Sequence, residues 1–297
     1  MLARLLQALI FFMVAIAAAC VWFLSSRSWA LAIAGVAVAS LFYAPVLALQ
    51  FLAVRRLHQN DPSPAANWRQ LARAWWSEVT LVPRIFFWRL PFAWNKIPDD
   101  ANNALHHRGK RGVVFIHGFI CNRGFWNPWL VHVKNRRRAF VAVNLEPVFG
   151  SINKYEPLID LAVQQVTLAT GLPPLVVCHS MGGVVVRAWL RHAKADERVH
   201  HIITIGSPHH GTWLGRFSFM ANARQMSLSN DWLLQLEADE PAARHTLFTC
   251  YYSNCDNIVF PASNATLAGA DNRLIAGAAH VALAFDQTVM RESLARI

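Results

Sequence analysis

The first part of the chain contains two long stretches without a charged side chain. One lies between Arg4 and Arg27, and the other lies between Arg27 and Arg55. Each is longer than the roughly 20 residues that a helix needs to cross the hydrocarbon core of a bilayer. The pattern predicts two transmembrane helices, Leu5–Leu24 and Trp29–Val54, joined by a short polar loop. The alternative is a cleaved signal peptide or a lipoprotein signal that ends at Ala18-Ala19-Cys20. Polar mature sequence should follow a signal peptide, and here a second apolar span follows.

Between these spans and the rest of the chain lies a segment in which tryptophan and arginine recur at helical spacing. It runs from Trp68 to Trp94. A helix of this kind is typical of the headgroup layer, where aromatic rings sit at the interface and Arg side chains meet anionic lipid. An amphipathic helix packed on the rest of the protein is the alternative. We therefore expect a hairpin anchor at residues 1–56 and an interfacial segment with its linker at residues 57–109.

From residue 110 onward, short apolar runs alternate with amphipathic periods. The predicted strands are Val113–Ile116, Ala139–Val143, Leu175–Cys178, His201–Ile205, Leu247–Tyr251 and Asn272–Ile275, and the predicted helices are Tyr155–Ala169, Met181–Ala193 and one from Val281 onward. Continuous apolar strands that alternate with helices are typical of a parallel sheet covered on both faces. The pattern thus predicts an α/β domain over residues 110–297.

The charge of the chain is positive and unevenly distributed. The net charge is +11, and residues 1–111 hold 12 Lys and Arg against 4 Asp and Glu. Because these cations lie beside apolar spans and among aromatic rings, membrane lipids explain them better than nucleic acid does. Arg55 and Arg56 follow the second span directly, and Arg4 precedes the first. We expect the anchor in a bacterial inner membrane, and the positive-inside rule predicts that both ends of the hairpin, and so the α/β domain, lie in the cytoplasm.

One segment has the pattern of a nucleophile on a sharp turn. Ser180 stands between the apolar run that ends at Cys178 and a helix that opens with Met181-Gly182-Gly183. A serine on a strand-to-helix turn is exposed above the sheet, and the N-terminus of the next helix favours developing negative charge. Gly182 leaves space where a side chain would collide across the turn. We interpret Ser180 as a nucleophile rather than as an ordinary helix N-cap.

With these residues the chain, over about residues 110–297, resembles the α/β-hydrolase superfamily, and within it bacterial triacylglycerol lipases and esterases. The family's turn is Gly-x-Ser-x-Gly, and Cys178 stands here in place of the first glycine. The triad partners of that family follow in the order serine, acid, histidine. The resemblance implies that His280 is the base and Asp256 the acid. Asp271 is the rival candidate for the acid.

The resemblance also implies an oxyanion hole made of two backbone N–H groups. One belongs to Met181, and the other belongs to Phe119 in the loop after the first strand of the domain. We expect the side chains of Phe119, Phe125 and Trp126 to line an apolar acyl site. Residues 213–240 are expected to form a lid over it, with plain packing helices as the alternative.

Together these patterns predict a membrane-anchored serine hydrolase that cleaves carboxylic esters, with a lipid or another hydrophobic acyl ester as its substrate. Such a triad needs no cofactor, and the cysteines show no metal-ligand spacing, so neither a cofactor nor a metal is expected. A thioesterase or acyltransferase would use the same triad. A non-catalytic membrane scaffold that retains the fold is the alternative from another class of protein.

Overall fold

The apolar N-terminal stretches form a helical hairpin in the computed structural model, which describes residues 1–58, 61–101 and 104–297. Helix α1 spans Leu2–Ser25, and the second arm consists of α2, Trp29–Leu41, and α3, Tyr43–Leu57. Among the described residues, these two arms are long and apolar enough to cross a membrane, and their most apolar windows are 0% and 6% buried inside the molecule.

The second arm is interrupted at Phe42, where the apolar pattern predicts one continuous helix. Pro45 has no backbone N–H to donate to the carbonyl of Leu41, so the helical hydrogen-bond ladder loses a bond at this point. The apolar pattern does not reveal such a break, because Pro45 is flanked by apolar residues on both sides.

Helix α4, Trp68–Pro83, continues through a π-helical turn at Arg84–Arg89 into the short α5, Leu90–Phe92. A capping box between Asn67 and Gln70 closes its N-terminus. One face of α4 packs against α3 and the α/β domain, with Leu71, Ala74, Glu78 and Val79 buried. The opposite face of α4 and the turn after it expose the rings of Trp68, Trp76, Phe87 and Trp88. The packed-helix interpretation of this segment therefore describes one face, while the other keeps the aromatic rings expected of an interfacial helix.

The α/β domain is built on one sheet, which confirms the predicted fold. In the described part of the chain the six strands are β1 Val113–Ile116, β2 Phe140–Val143, β3 Leu175–His179, β4 His201–Ile205, β5 Phe248–Tyr252 and β6 Asp271–Leu274. Their order across the sheet is β2-β1-β3-β4-β5-β6, and every neighbouring pair is parallel. The strands begin and end within one residue of the positions that the apolar runs predict.

Helices cover both faces of this sheet. They are α6 Ala104–His107, α7 Asn127–Asn135, α8 Glu156–Thr170, α9 Met181–Ala193, α10 Ala221–Gln225, α11 Asp231–Ala238, α12 His280–Leu283 and α13 Gln287–Leu294. Within β1, Val114 and Ile116 join the apolar cluster around α8 and α9, while Val113 and Phe115 join the cluster around α7 and α13. Alternate residues of a strand point to opposite faces, so the continuous apolar runs reflect burial on both sides.

The strand order also determines where a ligand can bind. The chain adds β2 on one side of β1 and then returns to add β3 on the other side. In open parallel sheets this reversal creates a crevice beyond the carboxyl ends of the two strands. The loop after β1 and the turn after β3 meet there, and they contain the predicted oxyanion residue and the predicted nucleophile.

Candidate active site

Ser180 occupies a sharp turn between β3 and α9. Its backbone has φ +53° and ψ −126°, a region that non-glycine residues seldom adopt. The turn is held by its surroundings, because the backbone N–H of Ser180 donates to the carbonyl of Ile205 at 2.9 Å. A Cβ atom on Gly182 would collide with the carbonyl oxygen of Ile116, so α9 can approach β1 only with glycine at this position. The local sequence thus produces the predicted strand–turn–helix.

Cys178 fills the position of the first glycine in the family's turn. Its side chain is fully buried in the apolar cluster around α8 and α9. Burial raises the pKa of the Cys178 thiol well above its ordinary value. The thiol therefore stays protonated, which makes it a poor nucleophile.

His280 and Asp256 form a buried pair at the carboxyl end of the sheet. His280 Nδ1 donates to both carboxylate oxygens of Asp256 at 2.9 Å. The Asp256 carboxylate is oriented by the backbone N–H groups of Ile258 and Val259, which donate to Oδ1 at 2.9 and 2.7 Å. Asp271 instead lies on β6 at the edge of the sheet, where its carboxylate pairs with Arg273 at 2.7 Å. The structure brings Asp256, and not Asp271, to His280.

The electrostatic surroundings of His280 favour its protonated form. Burial alone lowers the pKa of His280, but the Asp256 carboxylate, through its charge and its hydrogen bond, together with Glu78, raises this pKa above the ordinary value. The neighbouring ring of His179 lies 4.7 Å from the His280 ring, centroid to centroid. Burial lowers the pKa of His179 well below its usual range, so this ring stays neutral.

Two glycines leave room for close packing, one at the His–Asp pair and one at the serine turn. A Cβ atom on Gly206, the residue after Ile205, would lie 2.9 Å from Asp256 Oδ2 and 3.2 Å from His280 Nδ1. A Cβ atom on Gly118 would lie 3.3 Å from Ser180 Oγ. The hydrogen bonds found among the described residues do not include one from Ser180 Oγ to His280. Catalytic hydrogen bonds are often long without substrate and tighten when it binds.

The loop after β1 lies against Ser180 and presents a backbone donor. Among the described residues, the backbone N–H of Phe119 has no hydrogen-bond partner. Met181 begins α9, and the first N–H groups of a helix have no partner within it. His117 fixes the loop, since its Nδ1 donates to the carbonyl of Gly118 at 2.8 Å and its Nε2 accepts from the backbone N–H of Leu145 at 3.1 Å. The two N–H groups expected in an oxyanion hole are therefore both available.

The aromatic residues near the site separate into two groups. Phe119 is partly exposed, and its ring lies 6.0 Å from that of Phe149, an aromatic residue that the sequence pattern does not single out. Phe125 and Trp126, which were expected to line the acyl site, are both 0% exposed. The helical turn Arg123–Trp126 directs their rings into the core, where Phe125 stacks on His179 at 4.5 Å. Of the three aromatic residues expected at the acyl site, Phe119 is the one that reaches the surface, and Phe149 lies beside it.

The expected lid segment connects two sides of the crevice. On one side the Thr212 hydroxyl donates to the carbonyl of Ile258 in the loop that carries Asp256. On the other side Asn222 Nδ2 donates to the carbonyl of Val148 at 2.9 Å, in the loop that carries Phe149. Between these attachments Phe219 is 94% exposed.

The two leucines Leu233 and Leu236 of α11 pack into the core, so the C-terminal part of the expected lid is a packing helix. Within residues 1–58, 61–101 and 104–297, no three His, Cys, Asp or Glu side chains lie close enough to hold a metal ion.

A strained serine turn, a buried His–Asp pair and the reversal point of a parallel sheet are the features typical of hydrolases built on an α/β sheet. The sequence matches the model of the alpha/beta hydrolase family over residues 113–293. The chain therefore belongs to the alpha/beta hydrolase family. None of the curated proteins compared with the chain matches it.

Two solved structures of one bacterial lipase share the fold at low sequence identity, and a fungal lipase is similar at a lower TM-score. The mature form of Bacillus licheniformis lipase BlEst2 is 17% identical with a TM-score of 0.52, and the match covers 59% of this chain and 86% of the lipase. The propeptide form of the same lipase is 16% identical with a TM-score of 0.51, covering 58% of this chain and 47% of the other. Aspergillus fumigatus lipase B is 18% identical with a TM-score of 0.49, covering 58% and 43%. The chain thus spans less than half of the latter two proteins.

Proposed function

We propose that this chain is a membrane-anchored serine hydrolase that cleaves carboxylic esters with a hydrophobic acyl group. The observation that carries the proposal is the strained turn at Ser180 beside the hydrogen-bonded pair of His280 and Asp256. Strained backbone conformations persist where the surrounding structure enforces them, and they cluster at active sites. Membership in the alpha/beta hydrolase family agrees with this assignment.

In the proposed reaction, Ser180 Oγ attacks the ester carbonyl carbon while His280 takes the hydroxyl proton on Nε2. The backbone N–H groups of Phe119 and Met181 hold the tetrahedral oxyanion. When the intermediate collapses, the C–O bond to the alcohol breaks and the alcohol leaves with the proton from His280. Water, deprotonated by His280, then attacks the carbonyl carbon of the acyl-enzyme. The bond from this carbon to Ser180 Oγ breaks, Oγ takes the proton back from His280, and the carboxylic acid is released. Asp256 keeps the proton of neutral His280 on Nδ1 and stabilises the imidazolium.

Two features support a hydrophobic acyl group as the substrate. The partly exposed pair Phe119 and Phe149 lies at the oxyanion loop, where the acyl chain of a bound ester would pass. The N-terminal hairpin leaves its most apolar windows almost entirely unburied, as a segment in a bilayer would. An enzyme held at a membrane meets acyl lipids at high local concentration, and we propose that its ester substrate comes from the bilayer.

Labelling with a fluorophosphonate probe tests the proposed nucleophile, because this probe reacts with activated serines. The full-length protein in detergent micelles should be labelled and should hydrolyse short p-nitrophenyl esters. We expect Ser180→Ala to abolish labelling and to lower kcat by ~10⁴-fold or more. Ser151→Ala, at a partly exposed serine before α8, serves as the matched control and should change neither.

The outcomes separate the candidate functions. If wild type is not labelled, the scaffold that retains the fold is favoured, and if Ser180→Ala retains labelling, the nucleophile is misassigned. A labelled enzyme that transfers its acyl group to glycerol faster than to water would be an acyltransferase instead of a hydrolase. A thioester substrate cleaved much faster than the matching oxygen ester would favour a thioesterase.

A further inference from the structure

Glu78 on α4 is a buried carboxylate that the proposed triad does not use. It is the only acidic residue between Asp61 and Asp99. It occupies the packed face of α4, in line with Leu71 and Ala74, and only 1% of it is exposed. Burying a carboxylate costs several kcal/mol unless hydrogen bonds or charges compensate, so a carboxylate in an apolar stripe points to a specific partner.

That partner is the helix that begins with His280. Glu78 Oε1 accepts the backbone N–H of Val281 at 2.6 Å. The first N–H groups of a helix need acceptors from outside it, and a polar N-cap side chain usually supplies one. The N-cap of α12 is Ala279, which has no polar side chain. Glu78 therefore caps the helix of His280 from a distant part of the chain.

Glu78 also acts on His280 through its charge. Burial raises the pKa of Glu78 to about 7, with Asp256 adding to the effect and the Val281 N–H and His280 opposing it. In turn, Glu78 and Asp256 both raise the pKa of His280 against the effect of burial. The other titratable ring against His280 is His179, which stays neutral because burial lowers its pKa well below the usual range. Glu78 and Asp256 are thus the two charges that act on this imidazole.

Contacts with α3 of the hairpin hold helix α4, and with it Glu78, in place. Trp75 Nε1 donates to the carbonyl of Ala44 at 2.9 Å, and the Tyr43 hydroxyl donates to the carbonyl of Val79 at 2.7 Å. The partners in these two bonds, Ala44 and Tyr43, both lie in the first turn of α3. Because α4 lies outside residues 113–293, this support for His280 comes from a part of the chain that the family match does not include.

We propose that Glu78 is a positioning residue for His280, which fixes the first turn of α12 and supplies a second negative charge near the imidazole. This inference rests on the proposed function, in which His280 takes the proton of Ser180. The imidazolium formed in that step is stabilised by Asp256 through a hydrogen bond and by Glu78 through its charge. The hairpin-bound helix then contributes to catalysis as well as to anchoring.

The test compares Glu78→Gln, Glu78→Ala and Val79→Ala in the full-length protein, with a short p-nitrophenyl ester as the substrate. Glu78→Gln keeps the shape and an acceptor for the Val281 N–H but removes the charge. We expect its kcat above pH 7 to fall about 10-fold while KM stays within about 2-fold. Glu78→Ala removes the acceptor too, and its kcat should fall by roughly 10- to 100-fold because the base is misplaced.

The pH profile distinguishes positioning from a merely structural role. His280 must be neutral to accept a proton, so activity falls as the pH drops through its pKa. Glu78→Gln lowers that pKa, and the acid limb of kcat/KM should move to lower pH. The difference in kcat from wild type should shrink below about pH 7, where Glu78 is itself protonated. Val79→Ala loosens the same helix and should lower the melting temperature without moving the acid limb.

The rate at which the fluorophosphonate labels Ser180 provides a second readout of the same base and should follow the same pH shift. An unchanged kcat and acid limb in Glu78→Gln would overturn the inference, and so would an equal shift in Val79→Ala. Retained activity in Ser180→Ala would instead overturn the proposed function, so the two failures are distinguishable. Should Glu78→Ala fail to fold, the isosteric Glu78→Gln decides.

Discussion

The serine turn shows how single residues make the site possible. A non-glycine residue at positive φ costs of order 1–3 kcal/mol, so it persists only where its neighbours enforce it. For Ser180 the enforcing contacts are the hydrogen bond to Ile205 and the close approach of α9 to β1 at Gly182. The same lack of space holds at the proposed acid, because a Cβ atom on Gly206 would crowd both Asp256 and His280.

Asp256→Asn and Asp271→Asn test the assignment of the acid at the residue scale. An asparagine can still accept the N–H groups of Ile258 and Val259, so the loop should keep its conformation. It cannot enforce the correct tautomer of His280 or stabilise the imidazolium, and kcat for a p-nitrophenyl ester should fall by about 10³- to 10⁴-fold. Asp271 forms a partly exposed pair with Arg273, and its replacement should leave kcat within about 2-fold. A reversed ranking would mean that Asp271 is the acid.

At the scale of elements, the apolar pattern predicted the strands but not the irregularities of the helices. Strands β1 to β5 were placed correctly because runs of four or five mostly apolar residues are typical of strands buried on both faces of a parallel sheet. Strand β6, Asp271–Leu274, is mostly polar and lies at the edge of the sheet. The interruption at Phe42 and the π-helical turn at Arg84–Arg89 were not predicted, because the spacing of apolar residues does not report changes in the backbone hydrogen bonds of a helix. Phe125 and Trp126 were expected at an acyl site, but the conformation of a short loop decides whether a ring faces the crevice or the core.

The segment from the helical turn Trp213–Phe217 to the start of α10 provides a test at this scale. Phe217 and Phe219 are 61% and 94% exposed in the expected lid. Transfer of either ring from water to an apolar surface would lower the free energy. We expect Phe217→Ser with Phe219→Ser to slow hydrolysis of a long-chain ester in vesicles by about 10-fold, from the lost apolar contact. Hydrolysis of a short, water-soluble ester should stay within about 2-fold of wild type, because the triad is untouched.

Leu168→Ser is the matched control, since Leu168 on α8 is 78% exposed and lies outside the expected lid. It should alter neither rate. Equal losses on the short and the long ester in the Phe217/Phe219 variant would show that the loop supports the fold and does not act as a lid.

At the scale of the whole molecule, the site joins residues that are close along the chain with others that are not. The members of the proposed triad could be named from the sequence because they follow in a fixed order in this family. Glu78 could not, because it meets Val281 across 203 positions and only the docking of α4 brings them together. The one local signal was a lone carboxylate in the apolar stripe of an amphipathic helix. That docking also ties the hydrolase domain to the hairpin, so the orientation of the hairpin determines where the reaction takes place.

The arginines at the ends of the hairpin predict its orientation in a membrane. Arg55 and Arg56 lie at the C-terminal end of α3, and Arg27 is the one basic residue of the loop between the two arms. Each Lys or Arg near the end of a span favours the cytoplasmic side, while acidic residues contribute little. The exposed Arg69 and Arg73 on α4 add to the same side, where they would meet the anionic lipids of the inner leaflet. We therefore propose that the hydrolase domain faces the cytoplasm.

Reporters fused after Ile297 test this orientation in a bacterial host. A reporter that is active only in the cytoplasm should be active, and one that needs export should be silent. Replacing Ser25, Ser26 and Ser28 with arginine moves the excess of positive charge to the loop between the arms, and we expect this variant to invert the two signals or to mix them. Wild-type signals of the opposite sign would place the hydrolase domain outside the membrane. The esters available to Ser180 would then be those of the outer leaflet, and the basic face of α4 would lie against the less anionic side of the bilayer.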